Sequence, residues 1–554
     1  MKELAGADVV VVGSGAAGLT AALAASDAGA RVVVLERSEQ IGGTTAVSGG
    51  ALWIPLNHHM AEVGIADSRE DALAYTLALT AGRVPRSLVE RLVDSGHEVV
   101  RRLEADSPVA FTPWNIPDYR QEQPGAKPAA RSIEPALFDR GALGVWADRI
   151  RPSPILTLPL TLEESSFRFA RDPASMPRGL VAERMAKGIL TVGNALVGML
   201  LAGCLERGVE IVTGLRVRSL VLEDGQVRGV RGERNEHEVR VRGRAVVLAS
   251  GGFEWNPELV SAFLSGRITH PQTPPANEGD GLLMAMEAGA SLANMSEAWW
   301  YPSGVVPGEL YDGRQLSRQI GQERSGPHTL MVNGRGERFV NEAANYNDMA
   351  KALFEFDVRA YGQRNLPCWV ILDRRYRSRS RVLSVAPADP DPDWLIREDT
   401  LERLARRLGI PSHALVETVE RFNALARAGE DRDFGRGASR YDRATGDVRL
   451  AEPNLGTLEE PPFYALPVHL GAVGTKGGPR IDEDGRVLDV RGRPMRGLYA
   501  AGNVAGSPAG PAYFGGGTSI GCGVVFGWHA GQHAARLGRA AGSRGPVSRE
   551  DRPG

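Results

Sequence analysis

The feature that most constrains the fold lies at the amino terminus. Asp8–Val12 is an unbroken apolar run of the kind that forms a strand buried on both faces. Gly13-Ser14-Gly15-Ala16-Ala17-Gly18 follows it, and an alanine-rich helical stretch runs to about Ala28. A second apolar run, Val32–Leu35, ends in Glu36. Here GxGxxG follows a strand, opens a helix and has an acid 18 residues past its last glycine, which is the context of a dinucleotide-binding βαβ unit. Gly13, Gly15, Ala17 and Gly18 let the backbone reach a pyrophosphate, and the helix N-terminus faces its charge. Glu36, followed by Arg37, is placed to accept from the ribose hydroxyl.

The next stretch separates the candidate nucleotides. Ile41–Gly50 (IGGTTAVSGG) is a second glycine and hydroxyl cluster, at a point where NAD folds continue into a plain helix. A longer cofactor needs further backbone donors, so FAD is expected, with Gly43, Thr44, Thr45, Ser48, Gly49 and Gly50 among its contacts. Leu215–Glu223, which carries Val217, precedes a hairpin at Asp224-Gly225. Arg244–Phe253 is a strand running into a glycine turn, with Ala249 and Gly251 at the turn. Gly497–Asn503 repeats that pattern and ends in Gly502 and Asn503. Cofactor contacts thus come from both chain ends, and the segment between them is an insertion. At 554 residues the chain exceeds one ordinary core. The expected fold is α/β: a Rossmann-like FAD-binding domain of the glutathione-reductase type over residues 1–290 and 464–540, with an inserted α+β catalytic domain over 291–463.

Gly502–Gly521 (GNVAGSPAGPAYFGGGTSIG) complements the amino-terminal motif. Tyr513 precedes Gly515, Gly516 and Gly517, and Thr518 opens a helix with Ser519 and Ile520 in its first turn. Consecutive glycines let the backbone approach a planar ligand, and the helix aims unpaired N–H groups and positive dipole at it.

From Asp8 to about Ala535 the arrangement resembles the flavoprotein superfamily of fumarate reductases, succinate dehydrogenases and 3-ketosteroid dehydrogenases. The resemblance implies that GGTTAVSGG (residues 42–50) lies against the flavin. The succinate dehydrogenase branch carries a covalently flavinylated histidine near this place. Thr44-Thr45-Ala46 has none, so FAD should be non-covalent. The fumarate branch must hold two carboxylates with Arg and His. It has His-Thr-x-Gly-Gly before its last flavin strand and an arginine in the last glycine loop. This chain has Gly474-Thr475-Lys476-Gly477-Gly478, and no arginine between Gly502 and Gly527. GTKGG, and Tyr513 four residues before Gly517, look like the 3-ketosteroid Δ1-dehydrogenases. So do Asp118-Tyr119 ahead of Pro124-Gly125 and Arg131–Pro135, and Arg338–Glu342 followed by Tyr346. Phe514, where that family usually has proline, and Arg120, where a second aromatic is common, are departures.

The resemblance implies removal of the α proton and the β hydride of a bulky apolar ketone, a 3-ketosteroid above all, with the hydride passing to flavin N5. Tyr346 is then the base and Tyr119 its support. The Tyr513 hydroxyl and Gly517 N–H are the donors to the ketone oxygen. Tyrosine suits a greasy ligand because a carboxylate base would cost more to bury. The alternatives are an enone reductase running in reverse and a flavin-carrying binding protein with a dead site. An external acceptor such as a quinone is implied.

Charge and composition bound the rest. Lys+Arg 65 against Asp+Glu 67 leaves no basic field for nucleic acid. Cys204, Cys368 and Cys522 fit no metal or CxxC spacing, so a reducing, cytoplasmic setting is expected, with membrane contact at the periphery at most. Gly188–Leu205 is long and apolar, but Asn194 and its glycines make it a buried helix rather than a span. Trp299-Trp300-Tyr301 reads as core, His58 and His59 as loop residues, and Asp280 as the cap of a helix at Leu282–Ala288. Arg374–Arg381 (RRYRSRSR) reads as a solvated basic face. Past Leu537 the tail lacks periodicity, and residues 541–554 are expected to be disordered.

Overall fold

In the computed structural model, which describes residues 2–165, 169 and 172–537, the amino-terminal pattern forms β1 (Lys2–Val12), α1 (Ala16–Asp27) and β2 (Val32–Leu35). Val9–Val12 and Val32–Leu35 are buried at every position, as strands covered on both faces must be. Helix α2 (Val192–Glu206) holds most of the long apolar stretch and packs beside α1. Among the described residues no helix is long and apolar enough to cross a membrane. Strands β3 (Glu210–Val212), β4 (Arg216–Glu223), β5 (Gln226–Arg234) and β6 (His237–Leu248) complete the first part. The chain then builds β7 (Ala298–Tyr311), β8 (Arg314–Gln319), β9 (Thr329–Asn333), α3 (Tyr346–Lys351), β10 (Cys368–Leu372), α4 (Arg374–Arg377), β11 (Ile396–Glu398) and β12 (Phe463–Thr475). It returns through β13 (Arg486–Leu488), β14 (Pro494–Ala500) and α5 (Thr518–Arg536).

The first sheet has the order β13–β14–β6–β1–β2–β3, with β5 beside β6 and β4 beside β5. Strands β14, β6, β1, β2 and β3 are parallel, and Val12 pairs with both Leu35 and Leu248, which in turn pairs with Ala500. Four carboxyl ends therefore lie side by side, each running into one of the glycine or acidic motifs. In open parallel sheets this is the edge at which ligands bind. Helix α5 crosses α1 where only glycine fits. A Cβ on Gly527 would lie 2.5 Å from the Ala17 carbonyl oxygen, and one on Gly531 2.1 Å from that of Ala21. This close approach brings the start of α5 to the same edge.

The second sheet is antiparallel, in the order β8–β7–β12–β10–β9, with β11 also on β12. Its core, with Trp300, Met331, Val370 and Leu466, is separate from that of the first sheet. Strand β12 stays paired in this sheet until Thr475, and Lys476 begins the return.

Several sequence expectations change. Gly279, at φ +84°, is the N-cap of helix Asp280–Glu287, and Asp280 instead pairs with Arg216 at 2.6 Å. His59 is buried and lies between Glu62 (2.8 Å) and Glu104 (3.0 Å), and His58 lies 3.1 Å from Glu104. Only part of the basic run is solvated: Arg374 and Arg379 are exposed. Arg377 is buried, donating to Asp391 and to the carbonyls of Ala386 and Asp389, because five guanidinium donors suit the closing of a loop. The tail expected to be disordered lies outside the described residues.

Candidate active site

A continuous cavity of about 670 Å³ is lined by residues from both sheets and their connections. Every cofactor-contact residue named from the sequence lines it except Gly18. Tyr119, Tyr346, Tyr513 and Gly517 line it too. Gly18 acts in packing instead. A Cβ there would lie 2.0 Å from the Gly13 carbonyl oxygen, so this glycine lets helix and turn meet.

The amino-terminal part of the cavity fits a dinucleotide. Gly15 is the N-cap of α1 and has no side-chain cap. An added Cβ would meet the Thr45 Oγ1 at 3.5 Å and the Gly42 oxygen at 3.9 Å, so protein leaves room there. Glu36 is held in place by the Ser14 N–H (3.1 Å), the Ser14 hydroxyl (2.6 Å) and the Ser38 N–H (2.9 Å). Ser14 stands at an unspecified position of GxGxxG, so the motif gives no signal for it. Arg37 is engaged by Glu278 at 2.8 Å and the Ala276 carbonyl at 2.9 Å. The Thr45 hydroxyl accepts from the Ala16 N–H at 3.1 Å, and Thr44 accepts from Asn277 at 2.9 Å. A glycine cradle, an oriented carboxylate and a glycine-hydroxyl loop suit the pyrophosphate, ribose and ring system of FAD. Gly15→Val is accordingly expected to leave the melting temperature near that of the parent and to remove bound FAD. The ratio of flavin to protein absorbance in the purified variant checks this, and full occupancy would contradict the cradle.

The three tyrosines singled out in the sequence come together from positions far apart in the chain. The hydroxyls of Tyr119 and Tyr346 are 3.0 Å apart, and the Tyr513 ring centroid lies 5.2 Å from each of theirs. Two further tyrosines join them. Tyr301 stacks on Tyr346 at 4.1 Å, and Tyr441 lies 4.7 Å from Tyr119. Both line the cavity. The reading of Trp299-Trp300-Tyr301 as core holds for their burial and misses the cavity role of Tyr301.

Buried polar contacts fix this cluster. Asp118 accepts from Arg131 (2.8 Å), the Trp53 indole (2.7 Å) and the Lys127 N–H (2.8 Å). The next residue, Tyr119, donates its N–H to the Phe514 carbonyl at 3.0 Å, and the Tyr75 hydroxyl donates there at 2.6 Å. The Tyr119 segment is thereby tied directly to the loop that carries Tyr513. Phe514 acts through its carbonyl and through packing on Trp53, with ring centroids 5.0 Å apart. Arg120 reaches Asp348 at 3.2 Å, joining the Tyr119 segment to α3, whose first residue is Tyr346. Lys476 completes the knot. Its ammonium donates to the Ala512 carbonyl (2.8 Å), the Pro511 carbonyl (3.3 Å) and Asn347 (3.1 Å), and lies 4.3 Å from the Trp299 ring centroid. One buried cation so links the residue before Tyr513 to the residue after Tyr346. Burial lowers its pKa to about 7.

The surroundings of the tyrosines favour the protonated form. Burial pushes the Tyr119 and Tyr346 hydroxyls well above the usual tyrosine range, and the neighbouring tyrosines add to it. Tyr119 and Tyr513 are buried, whereas Tyr346 is half-buried and lines the cavity. Gly517 has φ +94°, and a Cβ there would lie 2.3 Å from the Ala51 carbonyl oxygen. Among the described residues its N–H makes no hydrogen bond to another backbone or side-chain acceptor.

A dinucleotide cradle that opens into a tyrosine-lined chamber between two sheets defines a flavin-dependent oxidoreductase. The chain belongs to the FAD binding domain family, whose model matches residues 8–520. It is 42% identical to 4-oxocyclohexanecarboxylate 2-dehydrogenase of Sinomonas cyclohexanicum, over 97% of this chain and 93% of that one. It is 35% identical to 3-oxosteroid 1-dehydrogenase of Mycolicibacterium smegmatis, over 94% of this chain and 96% of the relative. Among solved structures it resembles the 3-ketosteroid Δ1-dehydrogenase of Sterolibacterium denitrificans in complex with 1,4-androstadiene-3,17-dione. That match has a TM-score of 0.90 and 36% identity, and covers 97% of this chain and all of the other.

Proposed function

We propose that the protein dehydrogenates a cyclic ketone at the bond next to its carbonyl, with FAD as cofactor. The observation that carries this reading is the Tyr119–Tyr346 hydroxyl pair beside Tyr513, in the cavity that also holds the glycine cradle. Relatives at 42% and 35% identity are named for the same kind of step on ketones of different overall size, one a cyclohexanone acid and one a steroid. When bound, FAD supplies the acceptor for the hydride. The remaining work falls to the chain. Stretches before residue 290 and from Lys476 onward hold the cofactor, and the segment between them brings Tyr346 and Tyr301 to it. Tyr346 takes the α proton, while Tyr513 and the Gly517 N–H donate to the ketone oxygen as negative charge grows there. Leu156, Leu158, Leu160 and Leu162 give the cavity an apolar wall against which ring carbons can lie. An external acceptor of the quinone class would reoxidise the enzyme.

The test is anaerobic mixing of the purified yellow protein with a cyclic ketone. Bleaching supports dehydrogenation; recolouring of chemically reduced protein by an enone, without bleaching by the ketone, would assign the reverse preference. In this reading FAD is non-covalent, so acid precipitation should leave a colourless pellet and a yellow supernatant. Colour retained by the pellet would contradict it.

A pH dependence follows from the tyrosines. Because the Tyr346 pKa is raised, the base form is scarce at neutral pH, and turnover should climb as pH rises toward that pKa. The Tyr119 hydroxyl, also kept protonated, lies 3.0 Å from that of Tyr346, and once Tyr346 ionises it is the donor that favours the ionised form. Tyr119→Phe removes that donor and should displace the rising limb to higher pH, with FAD content unchanged. A pH profile of turnover identical to the parent's would remove Tyr119 from this role.

A further inference from the structure

We propose that the ketone accepted by this cavity carries a carboxylate, and that Arg381 recognises it. The inference rests on the dehydrogenase reading above and specifies its substrate class. Arg381 ends the RRYRSRSR run, in which other members are engaged: Arg374 with Glu460, Arg375 with Asp373 and Arg377 with Asp391. Arg381 itself is half-buried and lines the cavity. Its guanidinium makes no hydrogen bond or ion pair with any described residue. The backbone around it is held firmly. The Ser380 N–H donates to the Tyr376 carbonyl at 2.8 Å, Val382 and Val385 exchange hydrogen bonds at 3.0 Å, and the Leu383 N–H donates to the buried Glu323 at 2.8 Å. A fixed arm thus presents an unengaged cation to the chamber.

The cavity carries further arginines alongside the carboxylates Glu36, Asp280 and Glu323. Of the other arginines on the cavity, Arg318 pairs with Glu309 at 2.6 Å, Arg151 with Asp312 at 2.5 Å and Arg37 with Glu278 at 2.8 Å. Arg324 is different. It is 1% exposed, donates to the carbonyls of Glu342 and Ala344, and forms no ion pair with a carboxylate among the described residues. Its Nε is buried without a hydrogen-bond partner. Arg324 lies close enough to Tyr301 to affect its hydroxyl, and Tyr301 stacks on Tyr346. Arg324 therefore borders the tyrosine cluster and Arg381 lines the same cavity, while Glu323, next to Arg324 in the chain, accepts from the Leu383 N–H two residues past Arg381.

A half-buried guanidinium without an anion is unfavourable, and its planar fork matches a carboxylate with two parallel hydrogen bonds. A neutral ketone would leave that cation desolvated and unpaired. A keto acid would place its ring against the leucine wall, its ketone at Tyr513 and its carboxylate at Arg381. The lack of arginine in the last glycine loop argues against a fumarate-type site and is silent about this one, because Arg381 comes from the second lobe.

Anaerobic flavin reduction decides the matter, with 4-oxocyclohexanecarboxylate, its methyl ester and a 3-ketosteroid bearing a side-chain carboxylate, each against the parent, Arg381→Met and Arg381→Lys. Equal flavin content in all three proteins establishes that they fold. The parent should reduce faster with the small acid than with its ester. Arg381→Met should lower kcat/KM for the acid by about 10–100-fold, mainly through KM, and leave the ester unaffected. Arg381→Lys should restore part of the loss. Cyclohexanecarboxylate, which has no ketone to react, should perturb the flavin spectrum with an affinity weakened by a similar factor in Arg381→Met. Of the two acids, the one that loses more in Arg381→Met is the one whose carboxylate reaches this residue. Equal kcat/KM for acid and ester in the parent, or equal losses for both in Arg381→Met, would overturn the carboxylate assignment and leave the dehydrogenase reading intact. Absence of flavin reduction by every ketone would overturn that reading, and this inference with it.

Discussion

Tyr346→Phe is expected to lower turnover more than any other single substitution in the cavity, by about 10²–10⁴-fold, the usual contribution of a positioned general base. The phenylalanine ring keeps the stacking on Tyr301 and the edge contact with Tyr513, so packing should survive. What disappears is the oxygen proposed to take the α proton. Tyr119 is the nearest hydroxyl, 3.0 Å away, but it is buried and its pKa is held well above the usual value, so it is a poor substitute. FAD content should be unchanged, because Tyr346 belongs to α3 and not to the glycine cradle. Single-turnover flavin reduction reads the effect directly. Near-normal reduction in Tyr346→Phe would reject the mechanism. A change confined to KM would assign Tyr346 to uniform substrate binding.

Tyr513→Phe should follow, with a loss of about 10²–10³-fold, as for removal of one donor to a developing oxyanion. The Gly517 N–H remains, so some stabilisation persists. Lys476 still holds the carbonyls of Pro511 and Ala512, so the loop that carries residue 513 should keep its place. The loss should fall on kcat rather than KM, since the ketone oxygen is far more charged in the transition state than in the bound substrate. A loss larger than that of Tyr346→Phe would exchange the roles of base and clamp between these two tyrosines.

Much of this site was legible in the chain alone. The βαβ unit is local: apolar period, glycine spacing and the acid after β2 all sit within residues 8–36, and each reports a backbone requirement. The tyrosines were found by their family positions, and they do converge. Ser14 gave no signal because any small residue satisfies that position of the motif, yet its hydroxyl orients Glu36. Tyr441 stands in a polar stretch with nothing nearby to mark it. The basic run is solvated at Arg374 and Arg379, as charge clusters usually are, but the loop after β10 folds back so that Arg377 is buried and Arg381 lines the cavity.

The sequence by itself therefore determined the backbone-level features: which strand meets which turn, where glycine is obligatory, and that both chain ends line one cavity. These follow from short-range steric rules that act within a few residues. Only the tertiary structure decided the partners of the charged and polar side chains. Arg377 and Arg381 are four residues apart and chemically identical, yet one closes a loop through Asp391 and the other faces the cavity without a partner. Lys476 reads as part of a glycine turn, and becomes the tie between two tyrosines only because residues 347, 476 and 512 meet in space. The energy of a buried charge depends on what desolvates it and what pairs with it, and neither is encoded nearby in the chain.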